Sequence, residues 1–100
     1  MMLSFRAMLK SNNENAWVKF YTEFSQNNRK FLGELSKKHG NLTSIQFKVC
    51  TYIRAGYGNQ EIASYLGISK RSADSHSFRL RKKFNLDRPQ SLVTYLNTID

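Results

Sequence analysis

The sequence predicts an all-α fold, and three observations predict it. Large apolar side chains recur at the period of a helix, first at Trp17, Phe20, Tyr21 and Phe24. Residues that cap or end helices, such as Thr43 and Gly56, separate these periodic stretches. No stretch shows the alternation of apolar and polar residues that is typical of a half-buried strand.

The chain has 100 residues, which is enough for one compact domain. We expect three segments within it. Residues 1–13 form a flexible lead-in, and the polar run SNNEN at residues 11–15 begins at its end. Residues 14–40 form an aromatic-rich helical segment, and residues 41–100 form a separate helical unit.

The aromatic-rich segment contains one or two helices. Poor helix formers between Ser25 and Asn28 favour a break, with helices over about 14–25 and 28–38. Phe24 and Phe31 are seven residues apart, so one long helix would keep the same apolar stripe. The aromatic stripe is predicted to pack into the core, with a docking or dimer surface as the alternative.

Four helices are predicted in the third segment. The first begins after Thr43, which forms a capping box with Gln46, and it ends at Gly56. A short second helix covers residues 60–66 and is capped by Asn59.

The last two helices are predicted from the same kind of observation, a capping residue followed by a helical stretch. Ser69 caps a helix over about 70–84 that contains no Gly or Pro. Asp87 caps the final helix and Pro89 stands in its first turn, where a missing amide costs nothing. The apolar face of the final helix is Leu92, Val93, Leu96 and Ile99.

The net charge of +9 is concentrated in one predicted helix. Residues 70–83 contain six basic residues and one acidic residue. A local basic stripe indicates a surface that meets an extended anion, which could be nucleic acid, anionic lipid or an acidic protein. A solvated basic face is the simpler interpretation.

Several function classes are excluded by composition. The lone Cys50 forms no internal disulfide and is expected to be a small buried apolar residue in a reducing compartment. No apolar run is long enough to span a membrane, and Arg6 and Lys10 interrupt any secretory signal. We therefore expect a cytoplasmic protein that is not an enzyme and binds neither a metal nor a cofactor.

A short helix, a Gly-containing turn and a longer basic helix together predict a helix-turn-helix, whose second helix fits the major groove of DNA. On that helix one face lies opposite the apolar positions and is predicted to meet DNA: Arg71, Asp74, Ser75, Phe78 and Lys82. Arg71 suits guanine or phosphate, whereas Arg81 and Lys82 suit phosphates.

The third segment resembles the LuxR-type (GerE-like) helix-turn-helix domain, a four-helix unit. The matching residues are Leu42, Thr43, Gly56, Asn59, Glu61, Ile62, Ala63, Leu66, Ile68, Ser69, Ser72, His76, Leu80 and Lys83. Cys50, Arg54 and the RLRKK run ending at Lys83 are similar to a branch that ends bacterial sensor-regulator chains. In that branch an aromatic-rich segment precedes the domain.

The resemblance implies a transcriptional regulator of a signalling system, such as a two-component system, that binds double-stranded DNA. An upstream sensor or receiver module and a homodimer are implied as partners. The DNA-binding residues expected from sequence and resemblance together are Gln60, Lys70, Arg71, Ser72, Asp74, Ser75, His76, Phe78, Arg79, Arg81 and Lys82. The possible dimer interface is Leu92, Tyr95, Leu96 and Ile99.

Two residues depart from the family pattern. Asp74 stands where Lys is frequent, so it would accept from cytosine or hold Lys70 or Arg71 in place. Gln46 replaces the usual Glu, which keeps the capping box but removes a charge.

Three alternatives remain open. Phe78 either contacts a thymine methyl or folds back on the aromatic N-terminal helices. The chain could be a protein-interaction adaptor that keeps the fold without binding DNA, in which case Asp74 is the suspect feature. Membrane binding by the basic helix conflicts with the need of a folded core for Leu80 and Phe84.

Overall fold

The computed structural model describes the backbone of residues 5–99 and the side chains of residues 14–99. Over that range the chain forms six α-helices and no strand, which confirms the all-α prediction. In chain order the helices are α1 (Phe5–Asn27), α2 (Arg29–Lys38), α3 (Ser44–Arg54), α4 (Asn59–Leu66), α5 (Lys70–Lys83) and α6 (Leu92–Thr98).

Helix α1 begins at Phe5, well before the start expected near residue 14. A Ser or Asn inside a helix costs only roughly 0.5 kcal/mol relative to alanine, and a formed helix extends cooperatively, so the polar run does not stop it. Residues 1–4 of the expected lead-in lie outside the described residues, and the flexibility of that segment stays a prediction.

The N-terminal segment is two helices, so the alternative of one long helix is wrong. Asn28 leaves the helical region with φ −135° and ψ 34°. Its side-chain amide donates to the carbonyl of Phe24 at 2.9 Å, the acceptor that its own backbone N–H would use in a continuous helix. The side chain of Asn28 thus competes with the helical bond and ends α1.

The capping box of α3 is confirmed. The backbone N–H of Gln46 donates to Thr43 Oγ1 at 3.2 Å, and the backbone N–H of Thr43 donates to Gln46 Oε1 at 3.0 Å. Lys83 Nζ donates to the same Gln46 oxygen at 2.8 Å and to the carbonyl of Asn41 at 2.9 Å. The end of α5 is therefore tied to the start of α3.

Two predicted caps are wrong. Asn59 is the first residue of α4 rather than its cap, which is Gly58 in an extended conformation, with its N–H donating to Glu61 Oε1 at 3.2 Å. Ser91, and not Asp87, caps α6, because its Oγ accepts from the N–H of Thr94 at 2.9 Å.

Residues 87–90, which were expected to open the last helix, form a turn instead. The backbone N–H of Asp87 donates to Gln90 Oε1 at 2.9 Å, and the N–H of Gln90 donates to the carbonyl of Asp87 at 3.0 Å. These two bonds close the turn on itself. Pro89 therefore precedes α6 instead of standing in its first turn.

One hydrophobic core joins the N-terminal helices to the helices that follow them. The ring of Tyr52 in α3 is 1% exposed and stacks on Phe20 of α1 at 4.4 Å between centroids. Trp17 contacts Tyr52 at 5.6 Å and Phe47 at 6.4 Å, both edge to face. The prediction that the aromatic stripe belongs to the core is confirmed.

Helix α6 closes the other side of α3. The guanidinium of Arg54 lies 4.6 Å from the ring centre of Phe31 and donates to the carbonyls of Leu96 and Ile99 at 2.8 and 3.0 Å. The carbonyl of Leu96 also accepts the backbone N–H of Ile99 at 3.4 Å, so the guanidinium adds to a long backbone bond at the end of α6. One side chain of α3 thus links α2 to α6.

The lone cysteine is buried between these layers. Cys50 is fully buried, and the loss of solvation raises the pKa of its thiol to about 12. A thiol that is neutral at physiological pH is a poor nucleophile. The prediction of a small buried apolar residue is confirmed.

The described helices also bear on membrane insertion. None of them, over residues 5–99, combines the length and apolarity needed to cross a bilayer.

Two tyrosines give opposite expectations for stability. The buried hydroxyl of Tyr52 has no hydrogen-bond partner among the described residues, whereas the hydroxyl of Tyr95 lies 2.6 Å from His39 Nε2. Tyr52→Phe should leave the free energy of unfolding unchanged or raise it by up to ~1 kcal/mol, and Tyr95→Phe should lower it by ~0.5–1.5 kcal/mol. Urea unfolding of both variants checks this. A larger loss in Tyr52→Phe than in Tyr95→Phe would contradict the packing described.

Candidate nucleic-acid interface

Helices α4 and α5 form the helix-turn-helix that the sequence predicts. Gly67 ends α4 with φ 69°, a left-handed conformation that glycine adopts without a steric cost. The backbone N–H of Ile68 donates back to the carbonyl of Ala63 at 3.0 Å. Ser69 then caps α5 as predicted, with its Oγ accepting from the N–H of Ser72 at 3.1 Å. The turn between the helices is therefore tight and hydrogen-bonded.

One face of each helix is buried. Ile62 and Ala63 of α4 pack on α5, which buries Ala73 and Leu80 in return. Burying these side chains fixes the rotation of α5 about its own axis. The opposite face of α5 therefore has to point to solvent.

That opposite face carries the residues that were expected to share it. Six side chains of α5 line one shallow surface groove: Arg71, Asp74, Ser75, Phe78, Arg79 and Lys82. All six are exposed. We call this set the outer face of α5. It combines three cations with one carboxylate, one hydroxyl and one aromatic ring.

Asp74 is held by two hydrogen bonds from different helices. Its Oδ1 accepts from the Nδ2 of Asn59 at 2.8 Å, and its Oδ2 accepts from Lys70 Nζ at 3.0 Å. These donors, Lys70 first and Asn59 second, lower the pKa of Asp74. Of the two roles open for Asp74 from sequence, the structure contains the contact with Lys70.

Asn59 is a residue of the site that the sequence analysis missed. Its Oδ1 accepts from Ser77 Oγ at 3.1 Å while its Nδ2 donates to Asp74. Both partners are in α5, at fifteen and eighteen residues' separation. A contact between two helices leaves no signal in local spacing. The match of Gly56 and Asn59 to the LuxR-type domain was the one available pointer to Asn59.

Phe78 lies on the surface. Its side chain is 58% exposed, and Lys82 Nζ is 4.8 Å from the ring centre. The alternative that Phe78 folds back onto the aromatic N-terminal helices is therefore wrong. A cation over the ring holds it on the outer face of α5.

Arg81 does not point to the same side. Its guanidinium donates to the carbonyls of Asp87 and Arg88 at 2.9 and 3.4 Å, and also to the carbonyl of Gln90. The side chain is half-buried against the turn that leads to α6. The guanidinium that was expected to bind a phosphate is therefore already hydrogen-bonded to backbone carbonyls.

The remaining expected DNA contacts surround the outer face. Gln60 and Ser72 are exposed near the starts of α4 and α5, and His76 is half-buried. Lys70 is exposed but paired with Asp74. Ser72 Oγ accepts from Ser69 Oγ at 3.1 Å.

The residues expected at a dimer interface lie inside the chain. Leu92, Leu96 and Ile99 are 7%, 0% and 1% exposed, and the half-buried Tyr95 contacts His39. Leu92, Leu96 and Ile99 therefore belong to the core of the single chain, and a dimer interface at α6 stays a prediction. Val93, expected on the buried face, is instead 50% exposed.

His39 lies in an apolar environment beside α6. Its ring lies 4.2 Å from that of Phe84, and burial, followed by the nearby charge of Lys38, lowers its pKa. No group of three or more His, Cys, Asp or Glu side chains in the described part of the chain could hold a metal ion. His39 therefore has a packing role.

Known proteins resemble the C-terminal part of this chain. The model of a family described as bacterial regulatory proteins, luxR family, matches residues 40–96. The oxygen regulatory protein NreC of Staphylococcus carnosus (strain TM300) is 33% identical over 54 residues, which are 54% of this chain and 25% of that protein. The chain thus spans about a quarter of the length of that relative. No solved structure matches the chain.

Two neighbouring cations of α5, Arg81 and Lys82, should contribute differently to the free energy of unfolding. Arg81→Gln removes a guanidinium from three backbone carbonyls and should lower the free energy of unfolding by ~1–2 kcal/mol. Lys82→Gln, at an exposed position, should stay within ~0.5 kcal/mol of the native chain. Urea unfolding of the two variants measures the difference. Equal losses would show that the Arg81 contacts do not stabilise the turn.

Proposed function

The chain belongs to the luxR family of bacterial regulatory proteins, and from that premise we propose that it binds a specific double-stranded DNA sequence, with α5 in the major groove. The family is one of regulatory proteins, and the chain is not an enzyme. Residues 41–100 act as the DNA-binding domain of a transcriptional regulator.

The exposed outer face of α5 is the observation that carries this proposal. An α-helix with its side chains is ~10–12 Å across and the major groove is ~12 Å wide, so one helix fits. The buried side of α5 anchors the helix, while three cations and several short polar groups face outwards. Such a face supplies both phosphate contacts and contacts to base edges.

Different residues of the site serve different parts of the DNA. Arg79 and Lys82 neutralise phosphates, and Arg71 reaches either a phosphate or guanine. Ser75 and Phe78 approach base edges, where an aromatic ring suits a thymine methyl. Four further residues at the border of the site are proposed to contact the DNA backbone: Gln60, Lys70, Ser72 and His76.

The remaining segments connect the domain to its regulation. We propose that residues 14–40 fasten it to an upstream sensor or receiver module, with residues 1–13 as a lead-in. The name of the relative NreC, an oxygen regulatory protein, supports a place in a signal-controlled system. A homodimer on DNA would use the exposed side of α6, where Val93 and Asn97 lie, and the chain would act at the nucleoid in the cytoplasm.

Binding should weaken steeply with salt. Neutralising ~4 phosphates per chain gives a slope of log K against log salt of roughly −3.6, because each phosphate contact releases about 0.9 counterions. Lys82→Gln should reduce the magnitude of that slope by roughly 0.9 per chain. Lys30→Gln, the same change at an exposed position of α2, is the matched control and should leave the slope unchanged.

Fluorescence anisotropy with a duplex selected from a random library measures both slopes. A salt-independent affinity, or a selection that enriches no sequence, would contradict the proposal. Either result would favour the protein-interaction adaptor, the second function that the sequence leaves open.

A further inference from the structure

We propose that Asp74 selects the base at one position of the DNA site by accepting a hydrogen bond from the exocyclic amine of cytosine. The inference rests on the proposed function, because it concerns the same face of α5. It assigns specificity to a residue whose negative charge would otherwise only weaken binding to a polyanion.

The carboxylate of Asp74 is fixed but not saturated. Each oxygen already accepts one hydrogen bond, Oδ1 from Asn59 and Oδ2 from Lys70. An ionised carboxylate has about four lone-pair sites, so about two remain. The side chain is 46% exposed and lines the groove between Arg71 and Phe78. The carboxylate is therefore open to solvent in the groove where we propose that the bases lie.

A fixed acceptor distinguishes the four bases by the pattern of their major-groove edges. Cytosine presents an amine donor there, whereas guanine presents two acceptors and thymine presents one. Adenine presents an amine beside the acceptor N7, which would lie against the carboxylate. Cytosine is therefore the favoured base, adenine follows, and the two bases that present only acceptors are rejected.

The neighbouring charges allow a carboxylate in this place. Lys70 forms an ion pair with Asp74 one turn earlier on α5, and Arg71 and Lys82 flank the groove. The outer face of α5 thus keeps a positive balance around one acidic group. Phosphate attraction and base selection are separated on different side chains.

Asn59 acts as the positioning residue. It donates to Asp74 Oδ1 and accepts from Ser77 Oγ, so it joins α4 to two successive turns of α5. The side chain of Asp74 consequently loses rotamer freedom before DNA arrives. A contact made by a side chain that is already ordered costs less entropy on binding.

The test is selection from a random duplex library at ~150 mM salt, where non-specific electrostatic binding is weak. The full chain is compared with Asp74→Ala, Asp74→Asn and the control Glu23→Gln, which makes the same charge change at an exposed position of α1. Thermal unfolding is measured for every variant, so that a folding defect is separated from a change of preference.

We expect the native chain to prefer cytosine at one position by roughly 10-fold over thymine, the lower range for a good base contact. Asp74→Ala should abolish the preference at that position alone. Asp74→Asn should change it to adenine, since an asparagine amide matches the adenine edge. Glu23→Gln should select the native sequence.

Asn59→Asp tests the positioning role. Aspartate keeps an acceptor for Ser77 but removes the donor to Asp74 and adds a repelling charge. Cytosine preference should fall several-fold at the Asp74 position while the other positions keep theirs. A purely structural role would lower the affinity for every sequence equally.

The outcomes separate the two proposals. A native chain that enriches no sequence overturns sequence-specific binding and the inference with it. An enriched sequence that Asp74→Ala and Asp74→Asn leave unchanged at every position overturns the inference alone. A native preference for adenine at the position that Asp74→Ala abolishes would retain the amine contact and overturn the assignment to cytosine.

Discussion

The burial of one apolar stripe of α5 is the constraint on which the rest of the structure depends. Ala73, Leu80 and Phe84 point into the core shared with α3, α4 and α6. Because a helix is a rigid cylinder at this length, burying one stripe orients every other side chain on it. The basic and polar residues of α5 consequently share a single outward face. One side of α5 thus stabilises the fold, and the opposite side is available for recognition.

The N-terminal helices depend on that core without contributing to the outer face of α5. Phe20 and Trp17 pack on Tyr52, and Phe31 lies under the guanidinium of Arg54, whose hydrogen bonds end α6. Packing at α1 and α2 is therefore linked through α3 to α6. A module attached ahead of α1 would have a physical connection to the DNA-binding helices through these contacts.

Local chemistry was sufficient to predict the helices, the capping box at Thr43 and the cap at Ser69, because each depends on residues within one turn. It misplaced the start of α1 and the caps of α4 and α6, where several nearby residues can take the same role, and it failed where tertiary contacts decide. Arg81 belongs to a basic run, but the carbonyls of a turn six to nine residues later take its guanidinium. The bond from Asn59 to Asp74 joins two helices. Leu96 follows a helical period that cannot say whether the chain itself or a second copy buries it.

Contact between DNA and the outer face of α5 is tested most directly by NMR of the isotope-labelled chain titrated with its selected duplex. The largest shifts of backbone amide signals should fall between Ser69 and Lys82, with smaller ones at Gln60. Signals of α1 and α2 should stay in place. Strong shifts confined to α1, α2 or α6, with α5 unchanged, would contradict the assignment of α5 as the recognition helix.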